Sequence, residues 1–204
     1  MVKPFDFGVA LARQMKSELP NDYVACYTLE AYGVLADMVY NAGDSDYLEI
    51  GTWRGTSAII AVKVKQEYGK GGGVYCVDDF GGYDKSRKGT GEIVKPQAIA
   101  NMQAYGTDHR IHIIEQLSRP FPAELEGKRF GCLFIDGDHW NDAPALDFEA
   151  YQHCIDEFIM FDDDDDKHPA VQSTVNKTKA CNVMWGLMRR EHASAVFERI
   201  YCED

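Results

Sequence analysis

The residues Y-L-E-I-G-T-W-R-G-T-S-A-I-I-A, Tyr47 to Ala61, decide how this chain is read. A short apolar run interrupted by Glu49, glycines at 51 and 55, and then a run of helix formers predict a buried strand that turns sharply into a helix. Backbone N–H groups at the start of such a helix suit an electron-rich ligand. The G-x-x-x-G spacing is less specific than a full G-x-G-x-x-G, so the rest of the chain has to carry the reading.

Working outward from this turn, strands and helices alternate. An amphipathic helix over about Asp22 to Asn41 leads into the strand Tyr47–Ile50, and a shorter helix over Phe5 to Lys16 precedes it. A helix from Thr56 to Tyr68 follows, then a strand at Val74–Val77 and a glycine-dotted polar loop over Phe80 to Gly91. Next come a helix over Glu92 to Tyr105, a strand at Arg110–Ile114, a short helix near Phe121–Glu126 and a strand at Phe130–Ile135. A helix from Asn141 to His153, a strand at Glu157–Phe161 and a helix over Ala170 to Cys181 lead to a tail of two strands, with Val196, Ile200 and Tyr201 partly buried. The alternation predicts an α/β fold, a single-domain doubly wound sheet that is mostly parallel and seven-stranded, closed by an antiparallel C-terminal hairpin. Residues 1–42 read as a helical cap and 43–204 as the core.

The chain has 204 residues, 45% of them hydrophobic, enough for one sizeable core without staples. A formal charge of -12 repels phosphate backbones and anionic lipid, which argues against nucleic acid and membranes as partners. Six cysteines without a C-x-x-C suit reduced thiols, and no stretch is apolar enough to span a bilayer or to form a signal-peptide core. A cytoplasmic protein is the expectation, and a homo-oligomer stays open.

In doubly wound sheets ligands bind beyond the carboxyl ends of the strands. Those ends read Glu49-Ile-Gly51-Thr52, Asp78-Asp79, Glu115 to Ser118, Asp136-Gly-Asp138-His139 and Asp162-Asp163. Asp78, ending the second strand downstream of the glycine turn, is placed to accept hydrogen bonds from ribose hydroxyls, and Asp79 can do the same. Asp136, Asp162 and Asp163 offer three oxygens from two adjacent strands to Mg²⁺, with His139 beside them as a base. Asp164, Asp165 and Asp166 read as a solvated turn, and His168 has no comparable company.

L-E-I-G-T-W-R-G-T-S-A, V-Y-C-V-D-D-F, R-I-H-I-I-E-Q-L-S, F-I-D-G-D-H and F-D-D with H-P-A-V together resemble the class I S-adenosylmethionine-dependent methyltransferases. More narrowly they resemble the metal-dependent sugar O-methyltransferase and cephalosporin-hydroxylase-like group, which implies a Rossmann-like fold. The resemblance implies that Glu49, Gly51, Thr52, Gly55 and Ser57 surround the methionine part of S-adenosyl-L-methionine, that Asp78 holds the ribose, and that Gln116 to Ser118 lie near the adenine. It places Asp136 in the cofactor site and, with Asp162 and Asp163, on a divalent cation, with His139 as base. The expected reaction is methyl transfer to a hydroxyl of a small sugar, polyol or catechol-like acceptor. The alternatives are a non-catalytic S-adenosylmethionine-binding protein, a Mg²⁺-dependent phosphatase and a nicotinamide-binding oxidoreductase.

Overall fold

The computed structural model describes residues 2–19, 28–81, 91–182 and 184–201. Two helices, α1 (Pro4–Glu18) and α2 (Leu29–Asn41), precede β1 (Tyr47–Ile50). The sequence then runs α3 (Thr56–Glu67), β2 (Val74–Val77), α4 (Gly91–Ala104), β3 (Ile111–Ile114) and β4 (Phe130–Ile135). It closes with α5 (Ala143–Tyr151), β5 (Ile155–Phe161), α6 (Pro169–Cys181) and the hairpin β6 (Trp185–Glu191) and β7 (Ser194–Arg199).

Helix α2 begins at Leu29, where the Thr28 side chain accepts a hydrogen bond from Ala31 N. That is later than the Asn21-Asp22 signal, which lies outside the described residues, as do Cys26, Cys202 and most of the Phe80 to Gly91 loop. A threonine N-cap satisfies one of the orphan donors of the first turn and fixes where the described helix starts.

The seven strands are ordered β3-β2-β1-β4-β5-β7-β6. All pairs through β5 are parallel, and β7 enters antiparallel between β5 and β6, so the hairpin supplies an interior strand as well as an edge. Strand alternation divides the core in two. Tyr47, Cys76, Phe134 and Met160 face α1 to α4, while Leu48, Val77, Leu133 and Phe161 face α5 and α6. Val196 is buried in the sheet, but Ile200 and Tyr201, expected to be partly buried, lie past the end of β7 and are exposed.

Register is what positions a site. Ile50 pairs with both Val77 and Ile135, Val77 with Ile114, and Ile135 with Phe161, so five strands stop in one line. The ladder continues one step further through Gly51 N to Val77 O, Asp136 N to Ile50 O and Asp162 N to Ile135 O. Gly51, Asp78, Glu115, Asp136 and Asp162 therefore leave the sheet side by side on one rim, at the point where strand order reverses between β1 and β4.

No helix of the described residues is long and apolar enough to cross a membrane. Of the described cysteines, Cys76, Cys132 and Cys154 are buried free thiols and Cys181 is exposed.

Candidate active site

A cavity of about 530 Å³ opens on this rim, within the range of small-molecule sites. Its walls include Gly51 and Trp53 from the turn after β1, Asp78 to Phe80 after β2, Gln116 to Ser118 after β3, and Asp136 to Asn141 after β4. No residue of α1 or α2 lines it.

The β1–α3 turn is built on left-handed backbone, which its two glycines adopt without strain. Gly51 and Gly55 have φ of +89° and +84°, and Trp53 adopts φ 44°. The Arg54 guanidinium stacks over the Trp53 ring at 4.5 Å, while Asn101 Nδ2 donates to Arg54 O at 3.0 Å and ties the turn to α4.

Its N–H groups are not all left for a ligand. Asp78 Oδ2 accepts from Thr52 N at 2.7 Å and Trp53 N at 2.6 Å, and Oδ1 accepts from Phe80 N at 2.6 Å. A carboxylate offers about four acceptor positions, so Asp78 spends most of them holding the turn. Asp79 is exposed on the same wall, and its one described hydrogen bond is from Gly81 N to Oδ1.

Among the residues expected around the cofactor, Gly51, Asp78, Ser118 and Asp136 line the cavity, whereas Glu49, Thr52, Gly55 and Ser57 do not. The Ser118 hydroxyl is committed to Asp147 Oδ1 at 2.7 Å, and Arg119 Nε reaches the same oxygen at 3.1 Å. Glu49 is fully buried beneath the turn, accepting from the Tyr47 hydroxyl at 2.9 Å.

Burial outweighs that hydrogen bond and raises the Glu49 pKa from an ordinary 4.5 to about 7. The folded chain therefore holds a proton that the unfolded chain has released across this window. Stability contributed by the protonated form is present below the lower value and lost as pH rises through the upper one. Glu49→Gln removes the titration. Its stability relative to wild type should improve between about pH 5 and about pH 8 by on the order of 2–3 kcal/mol, read by urea unfolding at each pH. A difference that stays constant with pH would contradict the assignment.

At the ends of β4 and β5 the acidic run separates into distinct tasks. Asp162 is buried and accepts from the Ser194 hydroxyl at 3.2 Å. Asp163 takes φ 57°, which turns its carboxylate toward His139 Nε2 at 3.6 Å and His168 Nε2 at 3.8 Å. Asp164, expected to be solvated, is buried in a two-pronged pair with Arg190, Nε to Oδ2 at 2.6 Å and Nη2 to Oδ1 at 2.8 Å. Asp165, also expected to be solvated, accepts from Lys167 N at 2.9 Å and stands 3.0 Å from His168 Nδ1. Asp166 alone of these three is exposed.

The trio Asp136, Asp162 and Asp163 is thus split between partners. Among the described residues, the side chains that could share a cation, with donor atoms all within 4.8 Å of one another, are His139, Asp163 and His168. His168 is the residue that reading the sequence passed over. The spacing from Asp163 to a histidine just before Pro169 was the available signal, but only the turn at 163–168 brings the ring back onto the rim.

Asp136 Oδ1 lies 3.2 Å from His139 Nε2. Burial works against a charge on His139, but the hydrogen bond it donates to Asp136 and the charges of Asp136, Asp163 and Asp162 outweigh it and hold the imidazole above its ordinary pKa. The neighbouring carboxylates thus favour the protonated form of His139 in the cation-free chain.

Comparisons with known proteins agree with this fold. A family described as "Methyltransferase domain" matches residues 48–163, more than half of the chain. The O-methyltransferase NovP superposes with a TM-score of 0.68 at 14% identity, covering 97% of this chain and 98% of that one. A putative caffeoyl-CoA O-methyltransferase from Staphylococcus aureus gives 0.66 at 16% identity over 94% and 91%. An O-methyltransferase from Bacillus cereus in complex with SAH gives 0.62 at 15% identity over 97% and 100%. No curated protein matches the chain in sequence.

Proposed function

Because the chain belongs to the methyltransferase-domain family, and so to the class I S-adenosylmethionine-dependent methyltransferases, we propose that it methylates a hydroxyl of a small molecule with the help of a divalent cation. The observation that carries the reading is the shared cavity, whose wall brings together the Asp78-Asp79 pair, the glycine turn and Asp136 with His139. The O-methyltransferases among the structural neighbours point the same way.

In this reading Gly51 and Trp53 would hold the methionine part of the cofactor, Asp79 and the remaining acceptor position of Asp78 would take the ribose hydroxyls, and Gln116 to Ser118 would face the adenine. Glu49, Thr52, Gly55 and Ser57 support the turn from behind. Asp163, His139 and His168 would hold a cation, which would supply Lewis acidity to lower the pKa of an acceptor hydroxyl. Asp136, a quarter exposed and lining the cavity, is placed to take that hydroxyl's proton. Transfer would form the carbon–oxygen bond as the methyl–sulfur bond breaks, with S-adenosylhomocysteine as the leaving group, and most of the acceleration would come from the cavity holding oxygen and methyl in line.

The test is transfer of labelled methyl from S-adenosylmethionine to a panel of sugars, polyols and catechols. Asp136→Asn and His139→Ala are each expected to lower turnover by roughly a hundredfold or more while cofactor binding persists. Loss of S-adenosylmethionine binding in both variants, or unchanged turnover in both, would contradict these roles.

A further inference from the structure

We infer that the cation site is nitrogen-rich, formed by Nε2 of His139, Nε2 of His168 and a carboxylate oxygen of Asp163, and that it takes a first-row transition ion such as Zn²⁺, Co²⁺ or Mn²⁺ in preference to Mg²⁺; this rests on the cation-dependent reading above. The three donor atoms lie within 4.8 Å of one another, with Asp163 Oδ2 at 3.6 Å from one ring and 3.8 Å from the other. Ligands held about 2.1 Å from a common ion stand roughly 3–4 Å apart, so small adjustments are enough.

The second observation is the support behind His168. Asp165 Oδ1 sits 3.0 Å from Nδ1 of that ring, and the same oxygen also receives Lys167 N at 2.9 Å, so the carboxylate is itself anchored. A carboxylate on Nδ1 fixes the tautomer that leaves Nε2 basic, and Nε2 is the nitrogen facing Asp163. This carboxylate–imidazole arrangement orients and strengthens histidine ligands at metal centres.

The neighbouring acids have other partners, Asp162 with Ser194, Asp164 with Arg190 and Asp165 with His168 Nδ1, so Asp163 is the carboxylate of the run that faces Nε2 of both rings. Both histidine side chains are nearly buried, 6% and 8% exposed. Mg²⁺ demands oxygen donors and keeps several waters, whereas imidazole suits zinc and its transition-metal neighbours. As a ligand, His139 Nε2 would give up its proton and its contact with Asp136 Oδ1, 3.2 Å away, which leaves Asp136 as the proton acceptor.

The experiment uses the full-length chain stripped of metal with chelator, titrated calorimetrically with Zn²⁺, Co²⁺, Mn²⁺ and Mg²⁺, with the visible absorption of bound Co²⁺ as a second readout. Zn²⁺ and Co²⁺ are expected to bind at least about a hundredfold more tightly than Mg²⁺. His168→Ala should weaken both by at least about tenfold, and His168→Asp, an oxygen donor in the same place, should narrow the gap to Mg²⁺. Circular dichroism checks that each variant is folded. Equal affinity for Mg²⁺, no ion bound, or folded His168 variants that bind as wild type would overturn the inference. Titration of the same wild-type preparation with S-adenosylmethionine keeps the two readings apart. Cofactor binding without any ion overturns the metal site alone, and ion binding without cofactor overturns the methyl-transfer reading alone.

Discussion

Gly51→Ala is expected to unfold the functional rim and lower stability by about 4 kcal/mol or more. A Cβ at Gly51 would stand 2.1 Å from the backbone oxygen of Asp136 and 2.5 Å from its carbonyl carbon, and the position has φ +89°. Neither partner can yield cheaply. Asp136 N is bonded to Ile50 O and Gly51 N to Val77 O, so moving either backbone breaks the ladder that aligns β1, β2 and β4. Gly55→Ala is the control. It shares a positive φ, +84°, but its Cβ would meet the flexible tip of Met102 at 2.8 Å, so strain near the ordinary cost of a left-handed residue, about 1–3 kcal/mol, is expected. Urea unfolding of the two variants should rank them in that order. Equal losses would mean that the contact between Gly51 and Asp136 does not hold the rim together.

Asp78→Ala is expected to abolish measurable cofactor binding and to cost about 3 kcal/mol of stability. It removes the acceptor for three backbone donors at once, Thr52 N, Trp53 N and Phe80 N. Hydrogen bonds to a charged group contribute roughly 1.5–3 kcal/mol each, and water entering from the cavity recovers part of the loss. Asp79→Ala acts differently. That side chain is exposed and supports only Gly81 N among the described residues, so affinity should fall by roughly tenfold with stability unchanged. The pair separates the carboxylate that builds the turn from the one offered to the ligand. Identical behaviour of the two variants would refute the division.

The sheet was legible because its signals are periodic. Tyr47–Ile50, Val74–Val77 and Phe130–Ile135 end where apolar runs give way to glycine or acid, and hydrogen-bond register then forces their neighbours onto one rim. The side-chain assignments within that rim were legible only in part. Five successive aspartates have no internal pattern, so nothing in residues 162–166 foretells that Asp162 meets Ser194, Asp163 meets two imidazoles and Asp164 meets Arg190. The left-handed backbone at Asp163 and the arrival of β7 beside β5 decide those partners, and both are tertiary facts. Asp78 shows the same limit. Its place at the end of β2 was readable, but its capture of the turn's N–H groups depends on the 26-residue closure between Thr52 and Asp78.

Whether the rim cavity binds S-adenosylmethionine decides the rest, and calorimetric titration of the wild-type chain, with NAD titrated in parallel, tests it most directly. Saturable one-to-one binding of S-adenosylmethionine is expected, lost in Asp78→Ala, with no heat of binding for NAD. Binding of NAD with no binding of S-adenosylmethionine would contradict the assignment of the cavity.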